Sequence, residues 1–272
     1  MNRKISLEQE IEICDKYNSG VFSQKELGKM FNLKQSGISL ILKRNQIKSL
    51  PKYRLNTGKL KLNISFFNKI DEPKKAYWLG YLMADGSINK GNSKCTLISK
   101  DIDVIKKFKE DIDSGHKINT NVIFDKRTNK TYNSFSIQIT NANFVLNLIK
   151  NSVTKDKTDF IDIPKLDDKL MSYFFAGLFD GDGCVGIRKN GLRISLISTK
   201  EILLFLQKYL LNNFNVSETK LQKVTKNKNN IWKLHLYKDS FVFLDWIYFD
   251  NNFNYLDRKY NIYVQYKTNP LP

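Results

Sequence analysis

The chain repeats itself, and this constrains its fold more than any other feature of its 272 residues. KKAYWLGYLMADGSI (Lys74–Ile88) is answered by MSYFFAGLFDGDGCV (Met171–Val185), so that Asp85 and Asp182 stand 97 residues apart. CTLIS (Cys95–Ser99) is answered by ISLIS (Ile194–Ser198), and FSIQITNANFVLNLI (Phe135–Ile149) by WKLHLYKDSFVFLDW (Trp232–Trp246). Phe144 and Phe241 keep the offset of the aspartates. Self-similarity over several segments means two copies of one supersecondary unit. Strand-like runs alternate with helical patterns such as IDVIKKF and ILLFLQKYL, giving each copy the order helix, strands, helix, strands, helix. The expected fold class is α+β with antiparallel strands, the copies paired about a pseudo-twofold axis.

Each motif helix carries small residues four apart, Gly80 and Ala84 in one copy and Gly177 and Gly181 in the other. That spacing clears one helix face and lets two backbones approach. Gly86 and Gly183 follow the helices, where a left-handed residue is commonly required. Asp85 and Asp182 then fall at adjacent helix C-termini, whose carbonyls and dipole disfavour carboxylates. An ordinary helix stop with solvated aspartates is the competing reading, and its symmetric recurrence weighs against it. The arrangement is reasonable if a divalent cation lies between the ends, taking hard oxygen ligands as Mg²⁺ does. An EF-hand loop beginning at Asp180 fails, because Cys184, Val185 and Gly191 stand where its ligands and glycine belong.

The first fifty residues read as three short helices. An amphipathic one covers Leu7 to Tyr17, and Ser23 and Glu26 form a capping box that starts the second. Asn32 suits a tight left-handed turn. The third runs from about Lys34 to Lys43, with Ile38, Ile41 and Leu42 inward and Gln35, Ser36, Ser39 and Lys43 outward. This is the pattern of a helix-turn-helix, and a plain three-helix bundle is the alternative. Charge favours the first. No acidic residue occurs between Glu26 and Asp71, while Lys43, Arg44 and eight further lysines and arginines do.

The whole chain carries 45 Lys and Arg against 27 Asp and Glu, a formal charge of +18, which suits a polyanionic partner. No run of about 18 apolar residues and no secretion signal occur, so no membrane partner is expected. Cys14, Cys95 and Cys184 have neither disulfide nor zinc spacing, which fits a reducing interior. The expected location is cytoplasmic, nucleoid-associated in a bacterium or phage host, or an organellar matrix. Two histidines, His116 and His235, exclude chemistry that needs a histidine cluster.

WLGYLMADG and FAGLFDGDG match end to end the nonapeptide of the LAGLIDADG homing endonucleases, and the shared pattern covers about Pro73 to Tyr266. The chain resembles the single-chain type with two motifs. SQKELGKMFNLKQSGISLILK separately resembles the resolvase-type helix-turn-helix. The resemblance implies site-specific double-strand cleavage of DNA by a monomer, one phosphodiester per strand across the minor groove, leaving 3′ overhangs. It implies Asp85 and Asp182 as catalytic and metal-binding acids, with the carbonyls of Ala84 and Gly181 assisting and Mg²⁺ or Mn²⁺ bound. It implies an antiparallel-sheet saddle on the packed motif helices. Lys90, Lys94, Thr96, Arg188, Lys189, Arg193, Lys220, Lys223, Lys226, Lys228, Lys233 and His235 are the candidate DNA contacts of that saddle. Gln35, Ser36, Ser39, Lys43 and Arg44 are those of the N-terminal module. Lys157 and Lys259, after the last helix of each copy, are implied as catalytic lysines. Met83 stands where the second motif has Asp180, a position read as packing. The expected domains are a helix-turn-helix at 1–50, a basic linker at 51–72, and repeats at 73–160 and 161–272. A non-enzymatic DNA-binding regulator on the same scaffold and an intron RNA maturase remain as alternatives.

Overall fold

The computed structural model describes residues 5–18, 22–47, 60–125, 129–154, 163–189, 191–224 and 230–269. Contacts divide the chain after Lys59 into two compact units, with Thr140–Asn143 counted with the first. In the first unit α1 (Leu7–Asn18), α2 (Gln24–Met30) and α3 (Gln35–Arg44) enclose Ile13, Leu27, Ile38 and Leu42. The Ser23–Glu26 capping box is formed in both directions, satisfying backbone donors at the start of α2. Asn32 makes the turn with a φ of 50°.

The second unit is built twice on one plan. The first half runs α4 (Pro73–Asp85), β1 (Gly86–Ile88), β2 (Lys94–Ser99), α5 (Ile102–Asp111), β3 (Ile118–Asp125), β4 (Lys130–Thr140) and α6 (Ala142–Lys150). The second runs α7 (Met171–Asp182), β5 (Gly183–Arg188), β6 (Gly191–Ser198), α8 (Lys200–Phe214), β7 (Gln222–Lys223), β8 (Trp232–His235) and α9 (Ser240–Ile247). A further helix, α10 (Asp257–Thr268), has no counterpart among the described elements of the first half. The sheets have matching orders, β1-β2-β4-β3 and β5-β6-β8-β7. The expected α+β class with antiparallel sheets on packed helices is therefore the observed one.

Both repeats share one apolar core, which runs from Phe66 and Phe67 through α4 and α7 to Tyr263. The expected linker accordingly ends early. Of its described part, Phe67 is fully buried and Asn151 donates to its carbonyl at 2.9 Å, because two adjacent phenylalanines are worth more in a core than along a solvated connector. Residues 51–59 lie outside the described set.

Alternation along the strands fixes which face of each sheet meets the helices. Leu97, Ile137 and Ile139 face the core in the first sheet, and Leu192, Ile194, Leu196 and Leu234 in the second. The opposite faces are left to Thr96 and Gln138, and to Arg193 and Lys233. Among the described residues no helix is long and apolar enough to cross a membrane.

Candidate functional site

The site begins with the close approach of α4 and α7. A Cβ at Gly80 would overlap the Phe174 carbonyl oxygen, and a Cβ at Gly177 would overlap that of Tyr77. The two clashes are related by the same offset as the motifs, so the helix crossing is itself symmetric. Nearer the C-termini, a Cβ at Gly181 would overlap the Cβ of Ala84 and lie 3.6 Å from the carboxyl carbon of Asp85. The helices therefore approach backbone to backbone, as the small residues predict, and Asp85 and Asp182 end them beside one another. Asp85 is half-buried and Asp182 exposed.

Gly86 and Gly183 correct the sequence expectation. Their φ values are −69° and −81°, extended rather than left-handed, because the chain passes straight from each helix into a strand. Glycine is needed there for space: a Cβ at Gly86 would strike the Leu82 carbonyl, and one at Gly183 the ring and carbonyl of Phe179.

Asp180 is fully buried and built in as an acceptor. Tyr248 Oη donates to Oδ1 at 2.6 Å, while Tyr77 Oη and the Leu256 amide donate to Oδ2 at 2.8 and 2.9 Å. Burial pushes its carboxyl up, and Tyr248, Lys259, Leu256 and Tyr77 pull it back. One carboxylate thus ties α7 to α4 and to the segment before α10. Its counterpart Met83 is buried in the apolar core, as packing requires. The tyrosines that hold Asp180 carry no motif signature and were missed from sequence.

Lys259 answers the charge at the end of α7. Its side chain is 2% exposed, and Nζ donates to the carbonyls of Phe179 at 2.5 Å, Asp180 at 2.9 Å and Gly183 at 2.5 Å. It thereby offsets the negative end of α7. Burial pushes its pKa down to about 8, against the pull of Asp180, Asp85 and Asp182. All three carboxylates therefore act on one ammonium. Lys157, the other expected lysine, lies outside the described residues. Lys107 is a further buried lysine that sequence reasoning missed. Its ammonium lies 4.9 Å from the rings of both Tyr77 and Phe253, and burial pushes its pKa down to about 8.

Among the described residues no three His, Cys, Asp or Glu side chains gather as a metal site. The donors at the helix ends are two carboxylates, with backbone carbonyls beside them. Such a set is hard and anionic, and it suits Mg²⁺ or Mn²⁺ only if other oxygens complete the shell. A phosphodiester and water supply such oxygens.

The candidate contacts distribute unevenly. Lys94, Thr96, Arg188, Arg193, Lys233 and His235 lie on the sheet faces turned away from the helices. Lys90 and Lys189 are exposed in the turns β1–β2 and β5–β6, and Lys220 is exposed before β7. Lys223 pairs with Trp232, whose side chain packs on the core, and so falls on the helix-side parity instead. Lys226 and Lys228 lie outside the described residues. Arg193 lies over the Tyr237 ring at 5.6 Å, and His235 stacks on the same ring at 5.5 Å. Burial and Lys233 lower the His235 pKa, so this ring adds no charge at neutral pH. In the N-terminal unit Gln35, Ser36, Ser39 and Lys43 are exposed on α3, whereas Arg44 pairs with Glu10 of α1.

Comparison with known proteins matches residues 169–244 to the LAGLIDADG-like domain family. The replication factor C small subunit of Methanocaldococcus jannaschii is 29% identical over 169 residues, 61% of this chain and 9% of that protein. The chain thus aligns with less than a tenth of that curated relative. Similar solved structures include the homing endonuclease I-WcaI bound to its DNA recognition sequence, 15% identical over 81% of this chain and 97% of that one, with a TM-score of 0.48. Mesophilic variants of the homing endonuclease I-DmoI are 16% identical over 70% and 94%, with a TM-score of 0.43. Full-length DUF199/WhiA from Thermatoga maritima is 16% identical over 75% of this chain and 65% of that one, with a TM-score of 0.43.

Proposed function

We propose, from a chain that carries a LAGLIDADG-like domain in its second repeat, that the protein is a site-specific endonuclease cutting both strands of duplex DNA with divalent metal. The observation that carries this reading is the glycine-mediated crossing of α4 and α7, which sets Asp85 and Asp182 side by side at two helix C-termini. Two acids at two negative helix ends are costly for stability alone. They have a use where cation and phosphate come between them.

Asp85 and Asp182 would hold the cation, with the carbonyls of Ala84 and Gly181 beside it. A bound divalent ion supplies Lewis acidity to the phosphoryl group and lowers the pKa of a bound water. The chain's own residues do the rest. The exit glycines Gly86 and Gly183 turn each helix directly into a strand, so each acid sits at the root of one sheet. Lys259 offsets the negative end of α7 from its buried position, and Asp180 locks the segment that carries it. The outward cations of the second sheet attract the phosphate backbone from a distance. One acid per repeat fits one cut per strand.

The reading is tested by incubating the full-length protein with Mg²⁺ and a randomised duplex library and sequencing the cut ends. Paired cuts at one preferred sequence with 3′ overhangs are expected, and chelation should abolish cutting while leaving binding. Asp85→Asn and Asp182→Asn should each bind the selected duplex and either fail to cut or only nick it. Full double-strand cutting by either variant would refute the assignment. Sequence-specific binding with no cutting under any divalent ion would instead make the chain a DNA-binding scaffold.

A further inference from the structure

We propose that the two repeats read their halves of the duplex by different chemistry, repeat 1 through neutral amides directed to adenine and repeat 2 through guanidinium groups directed to guanine. The inference rests on the duplex-DNA reading above and deepens it. Pseudo-symmetry of the backbone would allow equivalent half-sites; the side chains on the outer sheet faces do not.

In the first sheet β3 is an edge strand, paired with β4 so that Asn119 faces Ser136 and Asn121 faces Ser134. Asn119 and Asn121 share the face opposite Ile118 and the core, together with Gln138 of β4, and all three are exposed. Along the middle of these two strands, from 119 to 123 and 132 to 138, no charged residue occurs. The nearby ammonium of Lys100 is engaged on the Tyr132 ring at 3.9 Å. Lys94 of β2 shares this outer face, but β3 and β4 themselves attract phosphate weakly along this stretch, and they offer donor-acceptor pairs that match the N6 and N7 edge of adenine.

The second sheet shifts the balance toward charge, although Gln222 of β7 shares its outer face with Lys233. Arg188 closes the β5–β6 pairing opposite Gly191, Arg193 faces Gly186, and Lys233 faces Ile197. Both arginines stand opposite a glycine, which leaves the guanidinium groups room beside them. The Arg193 guanidinium lies over the Tyr237 ring at 5.6 Å. The planar fork of an arginine is the group that binds the O6 and N7 edge of guanine bidentately. Lys233 adds charge without that geometry.

The target is thus expected to be asymmetric in composition: A·T pairs under repeat 1 and guanine-bearing positions under repeat 2. The test is selection of bound duplexes from a randomised library by the full chain in Ca²⁺, with sequencing of the bound pool, for the wild type, Asn121→Ala and Arg193→Gln. Arg193→Gln should relax a guanine preference in one half by about five- to a hundred-fold and leave the other half unchanged. Asn121→Ala should relax an adenine preference in the opposite half only. Equivalent preferences in both halves would overturn the proposal, as would variants that weaken binding uniformly over all sequences. Binding without cutting would sink the nuclease reading and still decide this one, because the selected sequences alone report it. Absence of any selected sequence would overturn both.

Discussion

Replacing Lys259 by methionine keeps the apolar stem and removes the ammonium from three buried carbonyls and a buried carboxylate. Two terms oppose each other. Burial of the ammonium costs the native state: a pKa near 8 instead of 10.5 corresponds to about 3 kcal/mol at 1.36 kcal/mol per unit. Against this, removing one member of a buried, hydrogen-bonded ionic group costs about 3–5 kcal/mol, because the remaining partners stay dry and unmet. That loss is what such a variant shows as a whole, with the burial cost already inside it, so by urea unfolding at about pH 7 Lys259→Met should be destabilised by about 3–5 kcal/mol. The pH dependence makes the test sharper. The folded pKa lies below the unfolded one, so between about pH 8 and 10.5 the unfolded chain binds more protons at this site and its contribution to stability rises with pH. The full penalty of the charged form applies below about pH 8 and is relieved above it. From pH 7 to about pH 9.5 the wild type should gain about 2 kcal/mol from this group, a gain the methionine variant lacks. The difference between the two proteins should consequently widen with pH. A deficit below about 1 kcal/mol at neutral pH, or one that narrows on going alkaline, would refute the capping role.

Three other perturbations test the same architecture. Gly177→Ala drives a methyl into the Tyr77 carbonyl; because backbone cannot swing aside, the loss should reach about 3 kcal/mol, the upper end for overpacking, and double-strand cutting should fall further than stability explains. Asp180→Asn presents an amide N–H to donors from Tyr77, Tyr248 and Leu256, so a loss of about 3–5 kcal/mol is expected in urea titrations, while the apolar Met83 of the other repeat shows that no acid is needed at that position for the helix itself. In the N-terminal unit, Lys43→Gln should weaken duplex binding about equally across sequences and lower the salt slope by about one; an unchanged slope would remove α3 from the phosphate contacts.

Much of this protein was legible before any coordinates. The offset of the motifs marked two like repeats because self-similarity is visible in the sequence itself, and small residues at four-residue spacing dictated a close helix crossing because that signal is local and steric. The capping box of α2 and the turn at Asn32 were readable for the same reason. The acids Asp85 and Asp182 could be named because their unfavourable positions occur twice. Tertiary structure alone decided the rest. That Gly86 and Gly183 are needed for room and not for a left-handed turn depends on how the chain leaves each helix. That Asp180 is a structural acceptor depends on tyrosines 103 and 68 residues away, and Lys259 finds its carbonyls 76 to 80 residues away. No pattern in sequence marks such partners, since a hydrogen bond across the core leaves no period. The concentration of outward amides on β3 and β4, and of outward arginines on β5 and β6, was hidden for a related reason: a search for charge passes over Asn119, Asn121 and Gln138. Only the register of the strands turns scattered polar residues into a face.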